Sequence, residues 1–426
     1  MRLYNSLTRQ PEELPPPPGP IRMYVCGPTV YQRVHVGNAR PYVLGIWIKS
    51  WLERNGYDVS LVSNITDVDD RVYEASAKAG LGSRRLAAQA TEWYREDTGD
   101  LGLGRPDAEP LASETMAEII ALVEELIERG AAYVANGDVY FRVAEFPDYG
   151  RLSGARLEEM VAQEPSELKE DQRDFALWKT QKPGEDHAWP SPWGPGRPGW
   201  HIECSAMAEK FLGPEFEIHG GGNDLRFPHH ENELAQSRAA GRAFARIWMH
   251  NGMLELDEEK MSKSVGNVRT LRDAIDTWGR ESLLVYFLTG QWRKPIDFTP
   301  AAMEAAQART ERFRDVFRGP SEPAPAEGWE RFAAALDDDF NTPEALAVMH
   351  EWRDHELLKS ALDVFGLASL AEQVDAPGEI VSLAERRLRA RSDGDFDVAD
   401  RLRETIEAAG WEVRDAAGGF QLVPKA

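Results

Sequence analysis

Residues 21–65 constrain the fold most. A strand-like run, Ile21–Cys26, stops at Gly27-Pro28. His35-Val36-Gly37-Asn38 then opens an apolar helical stretch to about Asn55-Gly56, and a second strand pattern, Val59–Ile65, follows. Strand, glycine turn, helix and strand make a βαβ unit, whose strands lie parallel in a helix-covered sheet. The turn after the first strand of such a unit offers backbone N–H groups and a helix N-terminus to phosphate. The expectation is an α/β Rossmann-type domain with ligands at the carboxyl edge of its sheet.

The parallel order is then interrupted. From about Leu86 to Gly130 the pattern is helical, with Ile119, Ile120, Val123, Leu126 and Ile127 on one stripe. Residues 131–198, rich in Pro, Trp and Gly, read as an irregular insertion rather than a sheet layer. Doubly wound order resumes at Gly199 and passes through Phe227-Pro228-His229-His230-Glu231-Asn232-Glu233 to a short strand, Met253–Leu256, and Lys260-Met261-Ser262-Lys263-Ser264. The expected divisions are 1–105 and 199–270 for the two halves of the Rossmann domain and 106–198 for the insertion. Residues 271–318 are helical, 319–328 a Pro-rich linker, and 329–426 mostly helical. The last part holds a helix pair broken at Ser392-Asp393-Gly394 and a small β-hairpin, Trp411–Val413 with Phe420–Val423.

A net charge of -23 repels polyanions at long range, so RNA contact must come from local basic patches. With no apolar run near the roughly 20 residues that span a bilayer and no signal-peptide pattern at Met1, a cytoplasmic protein without a membrane partner is expected. Two cysteines, Cys26 and Cys204, give no disulfide framework.

Three segments carry chemistry. His35 beside Gly37 at a helix N-terminus can donate to a phosphate oxygen as its charge grows. Lys260 and Lys263 bracket a loop whose cations can neutralise a leaving pyrophosphate. In the His-rich stretch, residues four apart share a helix face, so His229 and Glu233 can hold one ion together while His230 points away. With Cys26 and Cys204 they make a soft and borderline donor set that suits zinc over magnesium or calcium. Each segment taken alone also reads as an ordinary turn, a solvated loop or a polar helix start, and spacing does not make the four donors meet.

These segments, with Tyr24–Tyr31, Asn64–Asp70, Trp189–Gly194 and Gly196–Met207, resemble the class I aminoacyl-tRNA synthetases, in detail the cysteinyl-tRNA synthetase family, over nearly the whole chain. The resemblance implies activation of L-cysteine with ATP and Mg²⁺ and its transfer to the 3′ end of tRNA(Cys). It implies one Zn²⁺ per subunit on Cys26, Cys204, His229 and Glu233, which would tell cysteine from the nearly isosteric serine. It makes His35, Asn38, Lys260 and Lys263 catalytic, sets His35, Gly37, Asn38 and Lys263 against ATP, and sets Gly27, Thr66, Trp200 and Asp224 against the amino acid. Residues 271–318 would meet the tRNA stem and 329–426 the anticodon, with Arg386, Arg387, Arg389 and Arg391 available to RNA; a monomer is expected.

This chain departs from the family pattern at Asn38, where His is frequent, and at Gly45-Ile46, where relatives tend to carry Phe-Asp. The alternative is a ligase joining cysteine to an amino-sugar. It shares the zinc set and both ATP segments, but has less likeness at Glu231-Asn232-Glu233 and no clear counterpart of the arginine-rich helices. A tRNA-binding paralogue without catalysis is a further class.

Overall fold

The computed structural model describes residues 1–156, 165–256, 270–372, 375–416 and 419–424. Its contacts divide the chain into one unit of Met1–Val316 with Ser321–Leu370 and a second of Phe317–Pro320 with Ala371–Ala426.

In the first unit, an N-terminal hairpin pairs β1 (Arg2–Asn5) with β2 (Gln10–Glu13). The βαβ opening follows as β3 (Pro20–Val25), α1 (Ala39–Arg54) and β4 (Asp58–Ser63). Gly45 lets α1 press close to the sheet, since a Cβ there would sit 3.2 Å from Val25 Cγ2. Ile46 beside it is buried in the core, so the Phe-Asp departure is an apolar packing position in this chain. After β4 come α2 (Asp70–Ala79), α3 (Ser83–Gly99) and α4 (Met116–Glu128). Ile119, Val123 and Leu126 of the expected stripe are fully buried, and Ile120 and Ile127 pack against the same core.

The insertion departs from expectation. Strands β5 (Ala132–Ala135), β6 (Asp138–Phe141), β7 (Phe175–Thr180) and β8 (Gly196–Pro198) form a four-stranded antiparallel sheet with Phe141, Leu177 and Trp178 in its core. Strands of three to six residues scattered among turns are too short for their alternation to stand out.

The main chain then returns to the parallel sheet through α5 (Trp200–Leu212), β9 (Glu215–Gly222), α6 (His229–Ala239) and β10 (Phe244–Asn251). The sheet order is β10-β9-β3-β4, every neighbouring pair parallel. The chain leaves β3 toward β4 on one side and later fills β9 and β10 on the other. The carboxyl ends of β3 and β9 therefore flank the reversal of strand order, the place where such sheets bind ligands. Beyond it, β11 (Leu254–Leu256) pairs with β12 (Ile296–Phe298), and α7 (Leu271–Trp278), α8 (Arg280–Leu288) and α9 (Pro300–Arg318) precede α10 (Gly328–Asp337), α11 (Thr342–His350) and α12 (His355–Val364).

The second unit pairs α13 (Gly378–Ser392) with α14 (Phe396–Ala408) and ends in the expected hairpin, β13 (Trp411–Ala416) with β14 (Gly419–Pro424). Ile380, Ala384, Ile406, Trp411 and Val413 make its core. Arg387 and Arg391 bind Asp415 of the hairpin, both at 2.7 Å; Arg387 is buried there, whereas Arg386, Arg389 and Arg391 are exposed. No described helix is long and apolar enough to cross a membrane.

Candidate active site

Cys26 follows β3, and its N–H donates to the Gly220 carbonyl of β9 (3.0 Å), which seats its thiol at the strand reversal. Cys204 comes from α5, and His229 and Glu233 from the first turns of α6. Their donor atoms lie within 4.8 Å of one another, and all four residues are buried. The Sγ atoms of Cys26 and Cys204 are 3.8 Å apart, Cys26 Sγ is 3.6 Å from Glu233 Oε1, and His229 Nε2 is 3.1 Å from the same oxygen. Donors held tetrahedrally at about 2.3 Å (sulfur) and 2.0–2.2 Å (nitrogen, oxygen) stand roughly 3.4–3.8 Å from one another. Two of the three separations match that geometry, and the third is slightly tighter.

The electrostatics also ask for a cation. The donors bring three potential negative charges and no positive one. Burial pushes the Cys26 thiol and the Glu233 carboxyl well above their usual values, with Cys204 adding to the first. Burial, with His201 and His219 nearby, holds His229 well below its usual value, leaving a neutral imidazole fit to ligate. His201 Nδ1 lies 3.0 Å from His229 Nδ1, and the Trp200 ring stacks on His229 at 4.2 Å; both fix the ring with Nε2 toward Glu233. His219 Nε2 meets the other oxygen of Glu233 at 2.9 Å. Contacts of this kind are the ones that orient the ligands where a metal is held.

Helix α6 is not a solvated helix start, because nine consecutive residues, His229–Ser237, are buried. His230, expected to point away, instead lies inside the cluster, its Nδ1 2.8 Å from His250 Nε2. Glu231 accepts from the Ser153 N–H at 2.7 Å, and Asn232 accepts from the Tyr149 hydroxyl, so both tie α6 to the insertion. His201, His219 and His250 were absent from the expected set. The signal for His219 was a histidine heading three glycines, Gly220–Gly222, at a strand end. Glu203, fully buried next to Cys204, was also missed.

Gly27 and Thr66 sit at the adjoining ends of β3 and β4. A Cβ on Gly27 would fall 1.7 Å from the Asn64 carbonyl oxygen, so only glycine fits. The Gly27 N–H donates to Asn64 Oδ1 (2.9 Å), and Asn64 Nδ2 donates to Thr66 Oγ1 (3.3 Å). Asp224 lies on the turn after β9, exposed and outside the four-donor group. Beside Trp200 and His201 opens a cavity of ≈ 350 Å³ whose lining includes Arg71, Lys179, Arg197 and Phe227.

At the turn before α1, His35 Nδ1 accepts from the Gly37 N–H at 3.1 Å, which leaves the proton on Nε2, the tautomer that can donate. Asn38 is exposed at the N-terminus of α1, its side chain not used as a cap. Lys260 and Lys263 lie outside the described residues. Both ends of their stretch reach this turn: a Cβ on Gly37 would stand 3.5 Å from Leu254 Cβ, and Thr270 bridges to His35. Arg40, buried in α1, donates to the carbonyl oxygens of Gly252 and Lys294 and locks β11 to the same turn.

Residues 15–308 match the family described as tRNA synthetases class I (C) catalytic domain, and residues 331–356 match the DALR domain. The chain is 44% identical to the cysteine–tRNA ligase of Halorhodospira halophila over 98% of each protein, and 42% identical to that of Symbiobacterium thermophilum over 99% of each. In fold it is similar to Mycobacterium tuberculosis methionyl-tRNA synthetase bound by methionyl-adenylate (TM-score 0.59, 15% identity, 82% of this chain and 88% of that one).

Proposed function

The chain belongs to the class I tRNA synthetases, and within them to the cysteine–tRNA ligases, and from that membership we propose how its residues divide the work. The reaction is ATP-dependent activation of L-cysteine to cysteinyl-adenylate and transfer of the acyl group to the 3′ end of tRNA(Cys). Nothing among the likenesses favours an amino-sugar acceptor.

Cys26, Cys204, His229 and Glu233 would hold one Zn²⁺, which when bound ligates a thiolate in preference to a hydroxyl and so supplies the choice of cysteine over serine. Gly27 and Thr66 shape the strand ends against which the amino acid lies, Trp200 covers it, and Asp224 approaches from the rim. ATP, with Mg²⁺, places its phosphates on the turn of His35, Gly37 and Asn38. The cysteine carboxylate attacks the α-phosphorus and pyrophosphate leaves. His35, through Nε2–H, and Asn38 stabilise the charge developing on the phosphates, while Lys260 and Lys263 neutralise the leaving group. A hydroxyl of the tRNA's terminal ribose then attacks the acyl carbon and AMP departs. Residues 271–318 meet the acceptor stem, and the helical region from 329 reads the anticodon, with the DALR match in support. The working form is a monomer in the cytoplasm.

The observation that carries this division is the convergence of the four donors at the strand reversal of a nucleotide-binding sheet. Cysteine-dependent exchange of pyrophosphate into ATP tests activation, and offering tRNA(Cys) or an amino-sugar tests the acceptor. Exchange with acylation of the amino-sugar alone would overturn the assignment.

A further inference from the structure

We propose that Cys26 and Glu233 serve two overlapping cation positions, one completed by Cys204 and His229 and a second completed by His219 and His230. The donor atoms of Cys26, His219, His230 and Glu233 also lie within 4.8 Å of one another, all in buried residues. The carboxylate of Glu233 splits between the two sets: Oε1 faces His229 at 3.1 Å, and Oε2 faces His219 at 2.9 Å. His230 Nε2 is 4.0 Å from Glu233 Oε1 and has no hydrogen-bond partner among the described residues, an orphaned polar atom in a fully buried side chain. His230 Nδ1 lies 2.8 Å from His250 Nε2, and the tautomer in which Nδ1 donates there keeps a lone pair on Nε2, the form a metal ligand needs. The backbone is shaped around that ring: a Cβ at Gly221 would come 2.8 Å from His230 Cε1 and 3.0 Å from Nε2.

The second set offers one thiolate, two imidazoles and one carboxylate, a more nitrogen-rich shell that accepts zinc, cobalt or nickel. An ion moving between the positions keeps Cys26 and Glu233 and exchanges a thiolate and an imidazole for two imidazoles. Loss or oxidation of Cys204 therefore does not expel it.

The second position rests on the reading of Cys26 and Glu233 as ligands given above. Cobalt titration of the metal-free full chain, followed by thiolate-to-cobalt charge transfer and the visible bands of tetrahedral cobalt, separates the two. The Cys204→Ala/His229→Gln protein is expected to bind one equivalent with a single-thiolate spectrum, and adding His230→Gln to weaken binding at least about tenfold. A double variant that melts like the metal-free wild type yet binds no cobalt overturns the proposal, as does indifference to His230→Gln. Should the double variant not fold, anomalous scattering from cobalt-loaded wild-type crystals decides: a peak beside His219 and His230 supports it, and a peak among Cys204 and His229 alone overturns it. Wild-type protein that binds no cobalt would fail the metal reading itself, a result independent of pyrophosphate exchange and tRNA charging.

Discussion

Zinc binding to the metal-free protein should release at least two protons per ion and weaken by at least about a hundredfold for each pH unit of acidification. Burial holds the Cys26 thiol and the Glu233 carboxyl well above their ordinary values, which favours the protonated form of each when no cation is present. Ligation requires both to ionise, whereas His229, held far below its usual value, arrives already neutral and gives up nothing. Each proton lost costs one decade of affinity per pH unit, about 1.4 kcal/mol, so two amount to about 2.7 kcal/mol between pH 8 and pH 7. The sign is fixed: binding tightens as pH rises and chelators win as it falls. Calorimetric titration in two buffers of different ionisation enthalpy counts the protons, and chelator competition at pH 7 and 8 measures the slope. Heats that do not depend on the buffer, or a slope of one decade or less, would show that Cys26 or Glu233 is already ionised in the empty pocket and refute the reasoning.

Gly27→Ala places a Cβ 1.7 Å from the Asn64 oxygen, so the strand ends must part by more than an ångström; kcat/KM for cysteine in pyrophosphate exchange should fall roughly a hundredfold, and a near-normal value would refute the tight-approach account. Arg197, buried against Asp70 and Glu185 and lying over Tyr73, should cost about 3 kcal/mol as Arg197→Met in urea unfolding, because the Glu185 carboxylate, its side chain 7% exposed, would lose its cation and keep only the Lys182 N–H; a loss below about 1 kcal/mol would contradict this. Burial raises the Asp70 carboxyl, but Lys179 and Arg197 outweigh it and bring it down to about 2. Its stabilisation is thus whole above about pH 4 and disappears as pH falls through about 2. With the side chain 38% exposed, Asp70→Asn should cost only about 1 kcal/mol at pH 7 and nothing near pH 2, as read from denaturation at the two pH values.

The βαβ opening was legible because its alternation and glycine turn are local, and the two thiol donors because the chain has no other cysteine. The face rule found the His229–Glu233 pair but misplaced His230, since it assumes one solvated side and α6 is buried on all sides. His219 escaped notice because it lies 14 residues before Glu233 on a different element, a contact that only the parallel pairing of β9 creates. The insertion's sheet was hidden for a similar reason: β6 and β7 pair across more than thirty residues, and pairing at such range leaves no periodic trace.

The two cysteines stand 178 positions apart, one on each side of the insertion. The ion proposed for them would act as a staple as well as a selector, joining the early and late halves of the sheet as a disulfide would. In the chain-entropy picture, closing so long a loop in the unfolded state corresponds to about 5 kcal/mol, though the pairing of β3 with β9 already accounts for part of that closure. Substrate choice and the integrity of the interrupted domain would then depend on the same few atoms. A substitution that loosens the metal will register as lost stability and lost discrimination together.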